Sequence, residues 1–107
     1  MLKEDFKRQI KKAYSFWNRW NNGTDALKDP KGKRAEDPEL FKEMKTYRNR
    51  ERCKLELRFL SEDAVRDGWE TLSTRCILAL YHLDRNDITN CGYQITKMLR
   101  DLERDIR

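Results

Sequence analysis

The sequence predicts an all-α protein: a small four-helix bundle, up-down and antiparallel, with a long loop between its first and second helices. Three observations carry that prediction. Apolar residues return every three or four positions in four separate stretches. Only four Gly and two Pro interrupt 107 residues. The one segment that alternates like a strand has no second such segment to pair with, and a lone strand leaves its backbone hydrogen bonds unmet. At this length the chain has room for one domain.

The first helix is expected over residues 3–20. Leu2, Phe6, Ile10, Ala13, Trp17 and Trp20 line one face, while Lys7, Arg8, Lys11, Lys12 and Arg19 occupy the others. Residues 21–37, NNGTDALKDPKGKRAED, break the pattern and read as a flexible loop. A loop of that length inside a compact domain is usually functional or disordered.

Asp37-Pro38-Glu39 opens the second helix, expected over 38–60. Asp37 can cap free N–H groups, Pro38 suits the first helical position, and Glu39 complements the positive end of the dipole. Leu40, Phe41, Met44, Tyr47, Leu55 and Phe59 give its apolar stripe, with a polar gap in the middle. Cys53, Leu55, Leu57 and Phe59 are the alternating residues, read here as helix.

Ser61 is expected to cap a third helix over 62–83, with Leu60 and Val65 as a hydrophobic staple. Val65, Trp69, Leu72, Cys76, Leu80 and Leu83 form its inward face. The run CILALYHL (76–83) is apolar on most sides, and such a helix is covered on most sides. DRND then turns the chain into a last helix, expected over 87–106. Its apolar residues, Ile88, Cys91, Ile95, Met98, Leu99, Leu102 and Ile106, keep near-heptad spacing.

Composition narrows the function classes. Charged residues make up 40% of the chain, but three Trp, four Tyr and four Phe at regular spacing argue against disorder. No apolar run approaches the roughly 20 residues that cross a bilayer, and the N-terminus lacks the apolar stretch of a secretion signal. An intracellular location, cytoplasmic or nuclear, is expected, without membrane contact. Three cysteines without a CxxC pair and a single His give no zinc pattern, so reduced thiols and no metal or cofactor are expected. Phosphate-loop, dinucleotide-binding, HExxH and GxSxG motifs are missing. A non-enzymatic protein with no small-molecule substrate follows.

Two surfaces stand out. Residues 1–60 carry 17 Lys/Arg against 10 Asp/Glu, and residues 61–107 carry 7 against 9. Lys42, Lys45, Arg48 and Arg52 on the second helix, with Lys31, Lys33 and Arg34 in the loop, are the candidate phosphate contacts of a DNA- or RNA-binding face. The competing explanation is a solvated helix face laced with Glu39, Glu43, Glu51 and Glu56. The second surface is built from Ile77, Leu78 and Tyr81 of the over-apolar third helix and the C-terminal seam; Phe16, off the stripe of the first helix, is expected to be exposed and is a further contact candidate. Those four are the candidate protein interface.

Arg75 and His82 lie two helical turns apart on one face. This spacing resembles the R-x4–6-H motif of the HEPN ribonucleases, helical bundles that dimerise around the motif. The resemblance covers these two residues, and Cys76 stands where the family has a polar residue after the arginine. It implies a remote alternative, RNA cleavage by Arg75 and His82.

The reading favoured here is a helical interaction protein that binds a partner protein and self-associates, of the kind that serves phages or viruses as a regulator or inhibitor. The nucleic-acid-binding protein is the alternative. A homodimer fits both, since it would cover the third helix and display two basic halves together.

Overall fold

The computed structural model describes residues 2–22 and 38–107, with side chains from residue 46 onward in the second stretch. The described residues form four α-helices: α1 (Lys3–Asn22), α2 (Pro38–Asp67), α3 (Glu70–Asp84) and α4 (Ile88–Glu103). There is no strand among the described residues. The expected loop over 21–37 lies almost wholly outside them.

Cross-helix contacts fix the topology. Gln9 bonds Asp63, Lys12 pairs with Glu56 and Phe16 meets Arg52, so α1 and α2 run antiparallel. Arg50 and Lys54 reach Leu83 and Asp84 at the far end of α3. Cys76 touches Met98, and Arg75 reaches Asp101, which reverses α4 against α3. Lys3 pairs with Asp105 while the Trp17 indole N–H donates to the Ile88 carbonyl at 2.8 Å, closing the ring between α1 and α4. This is the up-down bundle expected of short connections.

The core draws on every helix: Phe6, Ile10, Ala13 and Trp20; Cys53, Leu57, Leu60 and Ala64; Leu72, Cys76, Ala79 and Leu83; Cys91, Ile95, Met98 and Leu102. Trp69, in the link between α2 and α3, packs its ring on Phe6 at 4.7 Å between centroids. All three cysteines are free and buried.

The second and third helices depart from expectation. α2 runs through Leu60-Ser61 to Asp67, and α3 begins at Glu70 rather than 62. The terminator is Gly68, at φ +78, where the left-handed conformation favours glycine. Its N–H bonds the Val65 carbonyl, and the Trp69 N–H bonds Ala64, the paired bonds of a Schellman motif. Asn86 and Asp105, also at positive φ, end α3 and α4 with the same pair of bonds. Ser61 therefore caps nothing, and Val65 is exposed on α2 instead of stapling α3.

The inward face of α2 also differs. Positions 53 and 57 lie roughly opposite 55 and 59 on a helix, so only one pair can face the core. Cys53 and Leu57 win, because Leu60 and Ala64 continue their stripe, whereas Leu55 and Phe59 are followed by Glu62 and Arg66. Tyr47, Leu55 and Phe59 face outward. Leu2 and Ile106, placed in the core by periodicity, are exposed just beyond the ends of α1 and α4.

Candidate functional site

On the basic side, α1 and α2 meet in a groove that seats Phe16. Guanidinium groups of Arg19 and Arg52 lie 5.8 and 5.6 Å from the centre of its ring. Arg48, one turn from Arg52 on the same face of α2, is exposed. Arg48 and Arg52 make no ion pair among the described residues. Lys31, Lys33 and Arg34 lie outside the described residues. Lys42 and Lys45 belong to the first turns of α2, and their side chains are also outside the description.

Phe16, expected to be exposed, lies apart from Ile77, Leu78 and Tyr81. It is half-buried against the core and belongs to the arginine groove, away from α3. Its place off the α1 stripe predicts exposure, and the ring is half-buried instead, because a position beside the stripe is where a helix meets its neighbour.

Neighbouring cations have structural partners. Arg50 pairs with Glu51 and donates to the Leu83 carbonyl, satisfying one of the free carbonyls at the end of α3. Lys54 pairs with Asp84 at 2.9 Å and Lys12 with Glu56 at 3.3 Å. The solvated, salt-bridged face weighed above thus accounts for part of the positive charge.

On the opposite flank, Ile77 is 56% exposed, Tyr81 49% and Leu78 37%. The α2–α3 hairpin holds seven of the eleven large apolar side chains left exposed among the described residues: Tyr47 and Val65 lie on this flank of α2, whereas Leu55 and Phe59, two turns on from Arg48 and Arg52, share the arginine face. Covering of the 76–83 run is therefore one-sided: Cys76, Ala79 and Leu83 are buried, and their neighbours are not. The Arg85 guanidinium stacks on the Tyr81 ring at 3.5 Å and donates to the Tyr81 carbonyl.

Arg75 and His82 do share one flank of α3, the one packed on α4. Arg75 donates to the Asp101 carboxylate and the Gln94 side-chain oxygen, both at 3.1 Å. His82 stands edge-on to Tyr81, with Nδ1 3.7 Å from Asp87. Asp87 caps α4 by accepting from the Asn90 backbone N–H, and its side chain also accepts from the Asn90 amide. The Asn90 bonds hold its carboxyl below the ordinary carboxylate range, with His82 a smaller influence.

Sequence reasoning missed the contact between Trp17 and Gly92. A Cβ at position 92 would overlap the indole ring, so any larger residue there forces the ring or the helices to shift. The contact floors a shallow groove lined by Tyr14, Asn21, Thr89, Tyr93 and Thr96. A glycine inside an otherwise regular helix was the available signal.

No family model, curated protein or solved structure matches this chain. The functional reading therefore rests on its own residues. Among the described residues no cluster of His, Cys, Asp and Glu could hold a metal ion, and no helix is long and apolar enough to cross a membrane.

Proposed function

We propose that this chain is a non-enzymatic helical interaction protein that docks a protein partner on the outer face of its α2–α3 hairpin. The observation that carries the reading is the apolar row Ile77, Leu78 and Tyr81, left exposed by a bundle whose core is already closed. Contiguous exposed apolar surface on a small domain marks an interaction site. Tyr beside Arg, the arrangement of Tyr81 and Arg85, is also the composition favoured in interface centres.

A photo-crosslinking amino acid tests this directly. p-Benzoylphenylalanine replacing Tyr81 is expected to give a protein adduct in cells of the native host, and the same group at exposed Lys11 on α1 is not. Equal yields at the two positions refute the docking face.

The second reading is nucleic-acid binding in the α1–α2 groove. It is favoured by Arg48 and Arg52 having no carboxylate partner among the described residues and by Phe16 lying against cations. An anisotropy titration with mixed-sequence DNA and RNA at low and high salt tests it. Arg48→Ala with Arg52→Ala is expected to lower the salt slope by about 2; absence of binding at low salt removes the reading.

A further inference from the structure

We infer that the partner on α3 is a second copy of this chain, docked antiparallel about a two-fold axis that passes between Ile77 and Leu78. The inference rests on the docking-face reading above and adds the partner's identity and register.

The outward face of α3 with its C-cap residue reads Glu70, Thr74, Ile77, Leu78, Tyr81 and Arg85. At about 100° per residue these six fall within one arc of roughly 100°. Glu70, Thr74, Ile77, Leu78, Tyr81 and Arg85 are all solvent-exposed. Their spacing is the same read from either end: four, three, one, three, four. A two-fold interface is isologous, so each residue must suit the one at its mirrored position. Here the mirror sets Ile77 against Leu78 of the second copy, Thr74 against Tyr81 and Glu70 against Arg85. Apolar meets apolar at the axis, small meets large beside it, and opposite charges meet at both ends.

The end charges are available for that role. Glu70 makes no side-chain hydrogen bond or ion pair among the described residues. Arg85 is braced by the Tyr81 ring and carbonyl and has no carboxylate partner among them. Bracing holds the guanidinium in place before contact, so little side-chain freedom is lost on docking. A heterologous partner would need none of this symmetry, and a nucleic acid would meet Glu70 and an apolar row in place of clustered cations.

The strip is about 22 Å long and one helix wide. It falls short of the roughly 800 Å² per partner of a standard interface, so the dimer is weak, with a Kd in the micromolar range.

Sedimentation velocity of the full chain from about 5 μM to 500 μM is the test. The expected result is a concentration-dependent shift from the 13.0 kDa monomer toward twice that mass. Glu70→Arg and Arg85→Glu should each weaken association about tenfold, because both symmetry-related pairs turn repulsive. Combining the two reversals should restore it, a result that no general loss of folding could produce. Ile77→Glu should leave a monomer with an unchanged helical spectrum. A monomer throughout the range overturns the inference, and so does a dimer indifferent to the single reversals. The crosslinking readout separates this failure from that of the docking face. An adduct at position 81 with the mass of another protein removes the second copy and keeps the face, whereas no adduct removes both.

Discussion

Gly92→Ala puts two physical rules in opposition, and the structure decides between them. In a helix interior alanine is favoured over glycine by about 1 kcal/mol, so propensity alone predicts a more stable protein. At position 92 the new methyl group would overlap the indole of Trp17. The ring cannot easily yield, because its N–H is anchored on the Ile88 carbonyl at 2.8 Å, one turn earlier on the same helix. Relief requires parting α1 from α4 or swinging the indole off its acceptor. Overpacking costs about 1–3 kcal/mol, and a lost hydrogen bond adds about 1. Less the propensity gain, the net is a destabilisation of about 2 kcal/mol, or a Tm lower by about 10 °C. Urea unfolding followed by circular dichroism measures it. Trp17→Leu should remove most of the penalty, so a double-mutant cycle isolates the contact. A Gly92→Ala protein more stable than wild type would refute the packing argument.

Other outcomes follow from the same geometry. Gly68→Ala meets open space, so its cost is the left-handed backbone alone, about 1 kcal/mol, and Gly68→Asn should cost less; equal stability of all three in urea would contradict the helix-ending role. Burial pushes the Cys76 thiol up to about 12, and the Cys91 hydrogen bond together with burial pushes Cys53 up as well. Native protein at pH 8 should therefore react negligibly at Cys53 and Cys76 with a thiol reagent, and unfolded protein rapidly, as mass spectrometry would record. Asp87 is depressed first by its Asn90 bonds and Asp105 first by Lys3. A depressed carboxyl stabilises the fold above its unfolded pKa, so this contribution should fade as pH falls below about 4. Asn90→Ala should raise the Asp87 titration midpoint seen by carboxyl-carbon NMR and leave that of Asp105 unmoved.

Helix 1 and helix 4 were legible because each has a single apolar stripe flanked by charge. Phe6, Ile10, Ala13 and Trp20 are buried as their spacing requires, as are Cys91, Ile95, Met98 and Leu102. Helix 2 carries two candidate stripes half a turn apart, and periodicity cannot choose between them. The choice belongs to the neighbours that cover one stripe, which a single chain's pattern does not reveal. Its end was misplaced for a related reason. Ser61-Glu62-Asp63 is a capping signal, but a serine can also sit inside a helix whose next residues propagate it, whereas Gly68 in a left-handed conformation must stop it. Of the site, the exposed row on α3 followed from an excess of apolar residues over what one bundle hides. The seating of Phe16 between helices did not, because a residue at the edge of a stripe is either exposed or wedged depending on the angle at which the next helix crosses.

Six of the fully buried core residues are short: Ala13, Cys53, Ala64, Cys76, Ala79 and Cys91. Such side chains fill an interior with little apolar mass and let neighbouring helices approach closely. A chain poor in apolar residues can then keep Ile77, Leu78 and Tyr81 on the outer arc of α3, where helical phase places them.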